Sequence, residues 1–267
     1  MTPDQIGGEI TTYIKKDVDF VKYGASGHNE GETELIMFSE KAQRAIVNAT
    51  HDAGLIVQAH TTSVESLRMA IQAGVNLLQH CEISGPLSIP VSTIRMMAER
   101  NVPCASLPLT KKGVGTLLAL GREEETTRIR GENIKNMIKG GVTFLLSTDS
   151  GLFDLDAMSR VPQLSGLTDE QTKELDLLAL LGEGHIVWFK AMNQYGMKPM
   201  DALMAATSNI AKAYKVDQDL GTLEKGKIAD LLILDKNPLK NHENYRKIKM
   251  IIKGGKIVDR KALPVLK

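Results

Sequence analysis

The sequence predicts an α/β protein built on parallel strands, and three observations predict it. Five short apolar runs alternate with stretches of helical periodicity. Each run is apolar almost throughout, as parallel strands covered on both faces tend to be. Lys22, His60, His80 and Asp149 all stand at or just past the end of such a run, the edge where a (β/α)8 barrel places its chemistry. An open doubly wound sheet also binds ligands at that edge, but the chain has no G-x-G-x-x-G turn for a dinucleotide crevice, so the barrel is favoured.

The elements follow in order. Thr2-Pro3 is an N-cap followed by proline at the first helical position, opening a helix to about Lys16. DFVKY (19–23) is the first strand. A helix from Thr33 to about Ala53 carries Leu35, Phe38, Ala42, Ile46 and Ala49 on one face, with Gly54 as its stop signal. LIVQA (55–59) is the second strand, Val64 to Ala73 a helix ending at Gly74, and VNLLQ (75–79) the third strand. Residues 90–100 read as helix, VPCASL (102–107) as extended, 123–139 as helix, and GVTFLLSTD (141–149) as the fifth strand. A polar loop (150–174) leads to helices at about 175–195 and 199–214. Beyond them IADLLILD (228–235), IKMIIKGG (248–255) and KIVD (256–259) alternate like antiparallel strands, the last two turning at Gly254-Gly255. These divide the chain into 1–215, the α/β part, and 216–267, a small β appendage. GTLEKGK (221–227) imitates a phosphate-binding loop, but Ile228 stands where a Ser or Thr should hold magnesium and a strand follows instead of a helix, so it reads as a β-turn.

Composition narrows the function. Thirty-three basic and thirty-two acidic side chains leave the chain near neutral, with no charge run suited to nucleic acid or an anionic membrane. The expected partner is a small molecule. Cys81 and Cys104 are too few for a disulfide framework, lack C-x-x-C spacing, and read as buried apolar thiols. No apolar stretch approaches the roughly 18 residues of a spanning helix and the first twenty residues contain no h-region, so a cytoplasmic setting is expected.

Taken singly, His60 and His80 read as structural histidines. Their equivalent positions on neighbouring strands change that, because adjacent strand ends bring two imidazoles to one mouth. Neutral imidazole is the commonest metal ligand and carboxylate its usual companion, which Asp149 in STDSG could supply. Lys22 is the anomaly, since an ammonium in a metal site is repelled. Tyr23 and His28 follow Lys22 in a glycine-containing stretch and could meet a substrate carboxylate, although strand alternation turns Tyr23 away from Lys22. His185, in GEGH at the start of a helix, is a substrate contact or a surface histidine. Ser147 and Ser150 lack a G-x-S-x-G frame, which argues against a serine hydrolase.

FVKYGASG, LIVQAH, NLLQHC, FLLSTDSG, MDALMAATSNIAKAY and GTLEKGKIADLLILDKNPL, in this order, resemble the amidohydrolase superfamily, specifically its imidazolonepropionase-like and Xaa-Pro dipeptidase-type branch. The resemblance implies that strands 4 to 8 of the barrel are present, with the C-terminal strands of a small β-sandwich. It implies that Lys22 is carboxylated by carbon dioxide and bridges two metals, that His60 and His80 bind one divalent ion, and that Asp149 binds the other and shuttles protons. Zinc is the default for such nitrogen and oxygen donors, as one or two ions. The implied reaction is hydrolysis of an amide, in a dipeptide or a cyclic amide, by metal-activated hydroxide.

The chain departs from that family in one respect: the H-x-H pair that ends the family's first barrel strand is missing. Five strands cannot close an eight-stranded barrel. The chain therefore reads as a piece lacking its N-terminal third, with open strand edges that invite a second copy. The competing expectation is a non-catalytic homologue that binds a small ligand or regulates a complete relative.

Overall fold

A computed structural model describes residues 1–27, 33–119, 121–150, 175–178, 180 and 182–262. His28 and most of the loop 150–174 lie outside these residues. The chain divides into two compact units, Met1–Met197 and Lys198–Lys267.

In the first unit the helices begin where their caps dictate. Thr2 and Gln5 form a capping box around Pro3, and α1 runs Pro3–Ile14. Strand β1 is Phe20–Gly24. The next helix starts later than its apolar spacing suggests: the Ser39 side chain accepts the Ala42 N–H and opens α2, Glu40–Asp52. Before it, Ile36 bridges Ser26 in extended backbone, which removes the first turns of the expected helix. Then come β2 (Ile56–His60), α3 (Val64–Ala73), β3 (Leu77–Gln79), α4 (Val91–Glu99), β4 (Cys104–Ser106), α5 (Lys111–Ala119), α6 (Glu124–Lys139) and β5 (Phe144–Leu146). The sequence reading assigned no element to α5, whose KKGVG start carries two helix-weakening glycines. Among the described residues, the stretch expected as helix 175–195 is helical only as α7, Gly184–Gln194.

The five strands pair in parallel in the order β1-β2-β3-β4-β5. Strictly consecutive parallel order, joined by right-handed crossovers, puts successive helices on one face; a doubly wound sheet would reverse its order partway. The helices do lie side by side, α1 on α2, α2 on α3, α3 on α4 and α4 on α6. Their layer buries Ile46, Leu67, Ile71, Met97, Ile134 and Met137 almost completely on the sheet face that carries Val57, Leu78 and Phe144. Cys81 and Cys104 are free thiols in this core.

The second unit holds α8 (Pro199–Ala205), α9 (Ser208–Ala213) and an antiparallel sheet β6-β7-β8, Leu231–Leu234, Ile248–Lys253 and Lys256–Ile257. The expected boundary at 215/216 moves to 197/198 because these helices pack on the tail: a Cβ on Gly221 would sit 2.6 Å from Ala211. The expected single helix 199–214 breaks at Thr207, whose backbone is not helical. The hairpin at Gly254-Gly255 forms as expected, both glycines with positive φ. In the imitation phosphate loop, Lys227 spends its ammonium on the Asp217 carbonyl and the Thr222 hydroxyl, as a turn lysine does. No helix among the described residues is long and apolar enough to cross a membrane.

Candidate metal centre

Register places the predicted residues. Lys22 on β1 lies opposite Gln58 on β2, and His60 lies opposite Gln79 on β3. Alternation along a strand then puts Lys22, Gln58, His60 and Gln79 on one face of the sheet. Gln79 donates its amide N–H to the Gln58 carbonyl at 2.6 Å, a polar layer one step below the histidines. Tyr23 takes the other face, where its hydroxyl donates to Gln43 of α2 at 2.9 Å and burial raises its pKa. Its substrate-binding role is therefore corrected to packing under the helices.

By the same alternation His80 should point away from Gln79, into the helices. It does not, because its φ is +39°, a left-handed backbone that non-glycine residues rarely hold. The turn swings the imidazole against His60, with ring centroids 4.4 Å apart and planes at 81°. The His80 N–H stays tied to the Ala105 carbonyl at 2.7 Å. Asp149 repeats the device past β5 with φ +49°. Two candidate ligands thus sit in strained backbone, where functional strain tends to collect.

His80 is buried, and its Nδ1 has no hydrogen-bond partner. Burial first, then the nearby positive charges of His60 and Lys22, push its pKa down to about 3. The ring is therefore neutral at physiological pH with an unused buried nitrogen, which suits a metal ligand. Thr61 Oγ1, Ser106 Oγ and Arg130 Nε are likewise buried without partners, and all belong to strand ends or to a side chain reaching one. Lys22 and Asp149 are both exposed.

The four predicted ligands do not form one tight cluster. Among the described residues, the only group of three or more His, Cys, Asp or Glu whose donor atoms all lie within 4.8 Å of one another is Cys81, Glu82 and Cys104. There Glu82 accepts the Leu107 N–H at 2.5 Å, and burial raises its pKa. The sequence reading passed over Glu82 and Arg130. A signal existed for Arg130: it interrupts the buried stripe Thr127, Ile134, Met137 of α6 at helical spacing.

His185 is exposed at the start of α7, while its neighbour Gly184 is indispensable. A Cβ on Gly184 would fall 2.1 Å from the Leu178 carbonyl oxygen, 2.7 Å from Ser150 Oγ and 3.0 Å from Thr148. Gly184→Ala should therefore displace the segment carrying Asp149 and cost about 1–3 kcal/mol, as overpacking does. Urea unfolding checks this, and a stability equal to the parent's would refute the close approach.

This consecutive parallel sheet carries two imidazoles at its carboxyl edge, a candidate metal mouth. The chain belongs to the amidohydrolase family, whose sequence profile matches residues 11–258. Imidazolonepropionase of Geobacillus sp. (strain WCH70) is 27% identical over 262 residues, covering 96% of this chain and 52% of that protein. The solved structure of molinate hydrolase superposes with a TM-score of 0.88 at 30% identity, over 100% of this chain and 57% of that one. A Xaa-Pro dipeptidase with bound methionine gives 0.71 at 20% identity, over 97% and 59%, a likeness of fold alone. The chain thus spans about half the length of the relatives that it matches over most of its own.

Proposed function

We propose that the protein is a metal-dependent hydrolase of a C–N bond, acting on an amide in a dipeptide or cyclic amide. In this reading the chain contributes strands 4 to 8 of a (β/α)8 barrel and the C-terminal strands of a β-sandwich. The observation that carries it is the His60–His80 pair, with a neutral ring and an orphaned buried nitrogen at the sheet's carboxyl edge. Membership of the amidohydrolase family supports the reaction class.

His60 and His80 would hold a divalent ion, zinc by default for these donors. Lys22, on the same face and open to solvent, would join as a ligand once carboxylated by carbon dioxide, which turns its cation into an anion. A bound ion would supply Lewis acidity. Asp149 would hold the proton released in the attack and pass it to the leaving nitrogen. Burial of His80 keeps its ring unprotonated, and the Gln58–Gln79 pair closes the floor below. The reading includes a small amide or peptide as partner, a cytoplasmic setting, and self-association through open strand edges.

The test is turnover of dipeptides, Xaa-Pro among them, and of cyclic amides by protein reconstituted with zinc and bicarbonate. Asp149→Asn should lower kcat by about 10²–10⁴ while His60 and His80 still hold metal. Metal-loaded parent protein that turns over nothing would instead favour the non-catalytic, ligand-binding reading.

A further inference from the structure

Arg130 reaches from α6 to the end of β4, where its guanidinium donates to the Leu107 carbonyl. That contact fixes one arm of the fork, yet Nε is buried and has no acceptor. An arginine is always charged, and a buried cationic donor left unpaired is costly, so the position calls for an acceptor. Glu82 has its oxygens engaged elsewhere, one accepting the Leu107 N–H and the other meeting the Cys104 thiol. Leu107 stands two residues past Ala105, whose carbonyl accepts the His80 N–H, and this sets the guanidinium beside the mouth.

We propose that Arg130 is the anion-binding residue of this mouth, taking a carboxylate of the substrate next to the His60–His80 pair. Its guanidinium, with Nη2 anchored on Leu107 and Nε unused, offers a charged donor to a carboxylate oxygen. For its reaction this inference rests on the hydrolase reading above, since it names the substrate as an amide that carries a carboxylate; for binding it does not.

The test uses the metal-free chain of residues 1–267, so that it stands apart from any failure of catalysis. N-acetylglycine and N-acetylglycinamide are titrated separately, with affinities from ligand-observed NMR and from fluorescence. The chain's single tryptophan, Trp188, donates to the Ser106 carbonyl beside Leu107 and reports on this spot directly. The parent should bind the carboxylate at least about tenfold tighter than the amide, the scale of one charged hydrogen-bonded pair. Arg130→Gln should erase that preference, and Arg130→Lys should restore part of it. Should Arg130→Gln fold poorly, the Glu82→Gln/Arg130→Gln double variant removes both charges and must show the same lost preference. Equal affinity for the two probes in the parent, binding of neither, or a preference that survives without Arg130 would overturn the proposal.

Discussion

Replacing His60 and His80 together by alanine should strip the purified protein of transition metal. The parent is expected to hold about one equivalent or more after incubation with zinc and bicarbonate, and the double variant none. The two rings meet edge to face, and His80 offers a nitrogen with no other use. Losing both imidazoles removes the nitrogen donors of the proposed site, and even loss of an outer partner typically costs about 10–100-fold in affinity. A rival donor set lies close by, since Cys81 and Cys104 sulfurs stand 3.0 Å apart with Glu82 beside them. A Cys81→Ala/Cys104→Ala variant separates the two by elemental analysis. Metal that follows the cysteines, or that persists without the histidines, would sink the proposed centre; metal that follows the histidines fixes where it binds.

Acid should destabilise the metal-free protein through His80, and the sign follows from the depressed pKa. The ring titrates near 3 when folded and near its ordinary 6.5 when unfolded. Above 6.5 neither state is protonated, and the contribution of His80 is complete. As pH falls from 6.5 toward 3, the unfolded chain binds the proton first, and stability is lost across that window. The gap sets a ceiling of roughly 5 kcal/mol, with several-fold less expected if water reaches the ring on local opening. Glu82 acts in the opposite direction: its raised pKa makes the folded state bind the proton more tightly, so its contribution is largest in acid and falls as pH rises through its folded pKa. Comparison with His80→Gln isolates the histidine. Urea unfolding of EDTA-treated parent and variant at pH 7.5 and 4.5 should show the parent losing more stability in acid. Identical losses would mean that His80 is not held neutral by the fold.

Much of the architecture was legible because local chemistry dictates it. Thr2-Pro3 and Gly74 are cap and stop signals that act within a few residues, and the structure uses both. The near-continuous apolar runs at 55–59 and 75–79 became parallel strands with helices between them, since such runs cannot leave either face in water. The misplaced start of α2 and the break at Thr207 have a common cause. Both stretches keep helical spacing, while a capping side chain in one and a non-helical backbone in the other override it.

The site was legible in part. Lys22 and His60 follow from strand ends and register, and Tyr23 from simple alternation. His80 does not, because alternation would have turned it away from His60, and only the +39° backbone brings it back. Arg130 and Glu82 are further still from the sequence's reach: each is distant along the chain from the partner that defines it, Leu107.

By itself the sequence determined most of the elements and the family, and it named candidate site residues, because those readings depend on spacing and side-chain type. Tertiary structure alone decided the left-handed turn that swings His80 against His60, and that Arg130 reaches the end of β4 with its Nε unused. Those outcomes depend on single backbone torsions and on packing between residues far apart in the chain, and neither leaves a periodic trace in the sequence.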